Sequence, residues 1–161
     1  IEYLYSNAKT MGADLDGIGL QSPSFFVWAV RDAFTAPLQR VQIIKGFVDP
    51  NGNPQEQVFD VACSDGGMPD AETYRCPDNN AKVDITSCAF SQDVGAAELK
   101  TFWTDPTFEV TQRAFYYVRA LENPTCRWST WDALRNNVEP RSDITKTIQE
   151  RVWSSPIHYI P

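Results

Sequence analysis

The chain predicts an all-β fold: an antiparallel, immunoglobulin-like β-sandwich of about seven strands, with one short helix near residues 129–136. Three observations carry this. Apolar residues recur with period two in several short runs. Prolines, glycines and asparagines punctuate the intervals between those runs. Only one short segment has a helical start signal. Many short strands separated by frequent turns bury a common core as two packed sheets.

Taken in order, residues 1–24 read as a tether, because the run MGADLDGIGLQSPS holds three glycines and a proline without sustained periodicity. The sandwich domain is expected over 25–161. In FFVWAV, Phe25, Val27 and Ala29 fall on one strand face and Phe26, Trp28 and Val30 on the other. Both faces are apolar, which predicts a central strand buried on both sides. A hairpin follows: Val41 and Ile43 alternate with Arg40 and Gln42, the turn DPNGNP intervenes at 49–54, and Phe59, Val61 and Cys63 alternate with Asp60 and Ala62. Residues 64–82 are nearly devoid of apolar side chains and read as a loop.

Shorter strands are expected at 83–90 and 96–103, the second with Leu99, Thr101 and Trp103 opposite Glu98 and Lys100. Residues 112–121 satisfy a strand through Ala114, Tyr116, Val118 and Ala120, and a helix through Phe115, Val118 and Leu121. The tyrosines and valine favour the strand. Ser129 with Asp132 three places later reads as a capped helix start. Residues 147–153 are expected to form the closing strand.

With 161 residues, 42% of them hydrophobic and 22% charged, the chain suits one globular domain with a real core. No apolar run reaches the roughly 18 residues a membrane-spanning helix needs, so membrane insertion is not expected. The start, IEYLYSNAKT, has neither a basic nor an apolar signal region and no initiator methionine. It reads as a piece or processed product of a larger protein. The net charge of −7, without a Lys/Arg block, is poorly suited to neutralising phosphates and argues against a nucleic-acid partner.

Four cysteines, Cys63, Cys76, Cys88 and Cys126, allow three connectivities. Disulfides are favoured, because Cys63 and Cys76 flank a loop of Asp, Gly and Pro that cannot pack by itself. Bridging it would remove about 3 kcal/mol of loop entropy from the unfolded chain. Cys88 with Cys126 then follows by elimination, and the compartment is oxidising: periplasmic or secreted. The alternatives are a four-cysteine zinc site, for which the spacing lacks tight knuckles, and four buried thiols.

No motif for a cofactor or for catalysis emerges. Asp49, Asn51, Asn53 and Asp60 superficially match a calcium loop, but Pro54 stands where the sharp turn needs glycine. Asp14-Leu-Asp16-Gly17 and Asp65-Gly66-Gly67 place carboxylates on glycine loops, as solvated turn formers do. His158 is the one histidine, and no nucleophile elbow or reactive thiol accompanies it.

The best candidate recognition surface interleaves arginines with aromatics near the C-terminal end. Arg119, Arg127, Trp128, Arg151 and Trp153 are its core, with Arg113, Arg135, Tyr116, Tyr117 and Trp131 beside them. Guanidinium groups bind anions bidentately and aromatic faces stack on sugars or on arginines, so the ligand would be a glycan or an anion. The alternative is that the tryptophans fill the core while Arg119, Arg127 and Arg151 pair with Glu122, Glu150 or Asp132.

At these residues the chain resembles a known family. The segments VWAVRDAF, LQRVQIIKGFVDPNG, VFDVACSDGG, GAAELKTFWTDPTF, QRAFYYVRALENPTCRWSTWDAL and TIQERVWSSPIHYIP are similar to the C-terminal portion of the bacterial domain-of-unknown-function family 3604. ENPTCRW and QERVWSSPI are the most specific blocks. His158 departs from the tryptophan expected in SPIWY. The resemblance implies a larger secreted parent whose N-terminal domain is similar to PHP-type metal-dependent phosphoesterases. That domain would be this chain's partner, and metal-ligand motifs would lie there. No catalytic residue or metal ligand is carried over, and the implied role is a non-catalytic accessory domain.

Overall fold

The computed structural model describes residues 2–16 and 21–161. Gly17 and Gly19 of the expected tether lie outside the described residues. Within them, chain order gives α1 (Glu2–Asn7), β1 (Asp14–Leu15), β2 (Ser24–Val30), β3 (Leu38–Val48), β4 (Pro54–Cys63) and β5 (Glu98–Thr104). There follow β6 (Ala114–Glu122), β7 (Thr125–Cys126), α2 (Trp128–Arg135), β8 (Thr147–Ile148), β9 (Arg151–Trp153) and β10 (Ile157–Tyr159). The fold is all-β and sandwich-like.

The large sheet runs β1-β10-β6-β3-β4. One edge of β6 is shared: β10 pairs with residues 114–116 and β9 with residues 119–121. β2 and β5 make a separate two-stranded sheet, and β7 with β8 a third. Within the segment read as a tether, β1 runs parallel to β10, and Gly12 N–H donates to the Pro156 carbonyl.

Period-two patterning explains the core. Val41 and Ile43 of β3, Phe59 and Val61 of β4, and Ala114, Tyr116 and Ala120 of β6 project inward to meet Val27 and Leu99 of the small sheet. Four aromatic rings lock the layers. Phe25 lies 4.8 Å from Tyr116, and Trp103 lies 5.0 Å from Phe59, centroid to centroid. Such tilted pairs add about 0.5–1.5 kcal/mol each beyond area burial. A bulge between Val41 and Gln42 shifts the β3–β4 register and lets Val61 join the core.

Several expectations are corrected. β2 is not a central strand. It belongs to a two-stranded sheet, and its residues Phe26, Trp28 and Val30 are exposed. Residues 83–90 form only a single bridge, Val83 to Phe90, because a tight turn around Asp84 occupies the interval. Residues 147–153 split into β8 and β9, which pair with different sheets. α2 starts one residue early: its N-cap is Arg127 without a side-chain cap, so Ser129 is inside the helix. Its hold comes instead from Thr130 Oγ1, which donates to the Lys146 carbonyl.

The stretch 64–97 between β4 and β5 has no strand among the described residues and is held by covalent and polar staples. The disulfides pair Cys63 with Cys76 and Cys88 with Cys126, and no free cysteine remains. Closing loops of 13 and 38 residues removes about 3 and about 4 kcal/mol of unfolded-chain entropy. Asn123, fully buried, accepts from Asn79 Nδ2 and donates to the Val94 carbonyl. Asp65 accepts the Gly95 N–H. Gly95 has φ +100°, and a Cβ there would sit 2.5 Å from Pro37, so only glycine fits. Two disulfides of this kind point to an oxidising environment.

Candidate functional site

The outer face of the large sheet is built from alternate residues of β6. Inward Ala114, Tyr116, Val118 and Ala120 leave Phe115, Tyr117, Arg119 and Leu121 pointing outward. Antiparallel register then places His158 opposite Phe115, Trp153 opposite Arg119, and Arg151 opposite Leu121. Thus Arg119, Arg151 and Trp153 of the expected surface share one face. Arg127 and Trp128 stand at the start of α2.

Among the described residues, none of the three candidate arginines makes an ion pair with an acid. Arg119 Nε donates to Gln42 Oε1 (2.7 Å), Arg127 Nε to Thr145 Oγ1 (3.2 Å) and Arg151 Nε to the Gln149 carbonyl (3.2 Å). Nor do the tryptophans fill the core: Trp128 is 76% exposed and Trp153 55%. Arg135 lies 5.4 Å over the Trp131 ring, a cation–π contact within one helix.

Arg119 is the end of a polar ladder that crosses the sheet. Gln42 accepts from Arg119 and donates through Nε2 to Asp60 Oδ1 at 2.6 Å. Asp60 also accepts the Cys76 N–H at 2.7 Å, with Arg40 and Arg75 at 3.7 and 3.6 Å. Its carboxylate is completely buried. These long side chains lie across the strands, so a polar row seals the middle of the sheet. Arg119 is therefore spent largely on structure.

A second buried network was not anticipated. Lys45 occupies the inward position of β3 after Val41 and Ile43, and its Nζ lies 2.7 Å from Asp105 Oδ2. Lys45 also donates to the Thr107 carbonyl, and Tyr116 Oη donates to Asp105 Oδ2 at 2.8 Å. Burial, then the Asp105 hydrogen bond and charge, pushes the Tyr116 phenol far above its ordinary range, so it stays a donor. The signal for Lys45 was present: a lysine at a core-facing period-two position needs a buried anion. Its partner 60 residues later was not legible.

An open groove of about 630 Å³ lies where β3, β4, β6 and β10 meet. Phe115, Glu56, Arg113 and His158 are among the residues that line it. The Phe115 ring lies over Gly46, where a Cβ would come within 2.2 Å of ring atoms. Here glycine serves the close approach of the ring. Phe115 is 40% exposed, flanked by Tyr117 at 6.3 Å and His158 at 6.1 Å between centroids.

The small sheet offers a contrasting outer surface. Phe26 is paired with Phe102, Trp28 with Lys100, and Val30 with Glu98. Phe26 and Phe102 meet at 4.8 Å, and Lys100 Nζ lies 5.9 Å over Trp28. Hydrogen bonds from Lys100 first, and then from the Trp28 indole, hold the Glu98 carboxyl below its usual range. Trp28 is 48% exposed and Phe102 69%. Among the described residues, no group of three or more His, Cys, Asp or Glu side chains is arranged to hold a metal ion.

The family model described as "Protein of unknown function (DUF3604)" matches residues 1–161. No curated protein and no solved structure matches the chain significantly.

Proposed function

The chain belongs to the DUF3604 family, and on that premise we propose that it is a non-catalytic, C-terminal accessory β-sandwich of a larger protein. That protein is periplasmic or secreted, in keeping with the two disulfides. The accessory sandwich packs against a metallohydrolase-like domain of the same polypeptide, through the outer face of β2–β5.

One observation carries this reading. FFVWAV is apolar on both faces, as in strands covered on both sides, yet the chain covers only the Phe25, Val27 and Ala29 side. Phe26, Trp28, Val30 and Phe102 remain as a contiguous apolar row in solvent. Single exposed apolar residues need no explanation, but a continuous row marks a docking surface. Lys45, Asp60 and Asp105, charged groups buried among the described residues, are engaged with neighbours inside the fold, as structural networks are.

Oxidative labelling of tryptophan in the full-length polypeptide tests the reading. Trp28 is expected to be protected there and reactive in the isolated chain, while Trp128 reacts in both. Equal reactivity of Trp28 in the two forms would sink the docking role.

A further inference from the structure

We propose that the outer face of the large sheet, from Phe115 to Trp153, is a binding platform for a neutral, linear oligosaccharide. The site lies on the opposite side of the sandwich from the β2–β5 docking face and does not depend on it.

Its geometry begins with two adjacent rings. Phe115 and Tyr117 take successive outward positions on β6, and their rings are 12° from parallel with centroids 6.3 Å apart. That separation is close to the two-residue repeat of a strand, so the rings stand side by side as neighbouring plates rather than in a tight stack. The next outward position is Arg119, and its register partner is Trp153. Three aromatic side chains therefore follow one another along a single strand direction.

Gly46 makes room for the first plate. Three Phe115 ring atoms lie 2.2–2.9 Å from where a Cβ at residue 46 would stand. Without that Cβ the ring lies over residue 46 and stays 40% exposed. Aromatic faces of this kind meet the C–H-rich faces of pyranose rings, which leaves the sugar hydroxyls pointing sideways. The groove supplies partners there: Glu56 as acceptor, Arg113 as donor, His158 as either. Neither Glu56 nor Arg113 is engaged in an ion pair among the described residues.

Size and charge narrow the ligand. The groove's 630 Å³ falls within the roughly 300–1,000 Å³ of small-molecule sites. Its lining carries one acid, Glu56, one arginine, Arg113, and His158, and the chain's net charge is −7. A polyanionic glycan would meet repulsion at long range, whereas a neutral one meets none. The strand-wise row of rings selects an extended chain over a branched or globular one.

Affinity electrophoresis of the 161-residue chain tests this, with soluble β-glucan, xylan, galactomannan and polygalacturonate each cast in the gel. Retardation by at least one neutral polysaccharide is expected, and none by polygalacturonate. Phe115→Leu keeps Gly46 covered by an apolar group while removing the aromatic face, and Trp153→Ala changes an exposed side chain. Each is expected to weaken retardation at least tenfold with an unchanged thermal midpoint, and Trp28→Ser on the other sheet is expected to leave it intact. The proposal is overturned if no neutral polysaccharide retards the chain, if polygalacturonate alone does, or if neither Phe115→Leu nor Trp153→Ala weakens binding.

Discussion

The two sheets of this sandwich treat their outer faces differently. On the large sheet, Arg119, Gln42 and Asp60 lie end to end across three strands, and Phe115 lies over Gly46. Ile44, though outward, is left 1% exposed. On the β2–β5 sheet no such roof exists, and Phe26, Trp28, Val30 and Phe102 face solvent. A sheet face can thus be closed by long polar side chains from the chain itself, or left apolar for a neighbour. The first route demands that every buried charge find a partner. The second requires only an apolar row and a matching surface.

Three substitutions and one titration probe that contrast, in decreasing order of effect. Asp105→Ala strands the Lys45 ammonium, which is 1% exposed, and the loss of an anion from a buried pair costs about 3–5 kcal/mol. Urea denaturation followed by circular dichroism should report it. A loss below about 1 kcal/mol would mean that water reaches Lys45, and the inward network would lose its structural role. Asp60→Ala removes the acceptor for Gln42 and the Cys76 N–H on the outward side, with an expected loss of about 2–3 kcal/mol. The same denaturation curve would show instead that the polar roof is dispensable if the midpoint did not move.

Trp28→Ser belongs to the unroofed face, and in the isolated chain it should shift stability by no more than about 0.5 kcal/mol. A large loss would show that the row already serves this chain's own packing, and the contrast between sheets would fail. The smallest effect is electrostatic. Glu98 has its folded pKa lowered by Lys100 and then Trp28, so its contribution is present above the ordinary glutamate range and vanishes as pH falls through the folded value. Because both side chains are exposed to solvent, screening keeps this slight. In NMR spectra the Trp28 indole N–H should shift with a midpoint below the usual glutamate range, and a midpoint at or above it would remove the Glu98 contact.

Much of the scaffold was legible because its signals are local. The β3–β4 hairpin follows from alternation on either side of Asp49, Asn51 and Gly52. In the structure, Asp49 Oδ1 accepts the N–H groups of Asn51 and Asn53. The tyrosines and valine of residues 112–121 favour a strand over a helix, and the strand, at Ala114–Glu122, is the spine of the large sheet. The Cys63–Cys76 pairing follows from loop composition, and Cys88–Cys126 only by elimination after it. The helix cap at Ser129 was misread, because the capping pattern specifies a local hydrogen bond that the fold replaces with Thr130 to Lys146.

The candidate surface was only partly legible. Tyr116, expected beside that surface, is instead buried and donates to Asp105, because strand alternation turns it away from Phe115, Tyr117 and Arg119. That Gly46 permits Phe115 to lie over it depends on the β3–β6 register, which pairs the two residues. Alternation within one strand cannot fix that register.

By itself, the sequence determined the all-β class, the main hairpin, the β6 strand and the closure of the Cys63–Cys76 loop, because each depends on composition or spacing within a short stretch. Tertiary structure alone decided that Arg119 would reach Gln42, that Lys45 would meet Asp105, and that β2 would be covered on one side only. The physical reason is the same in each case. An apolar or charged side chain states what surroundings it requires, but which distant strand supplies them is set by sheet order and register.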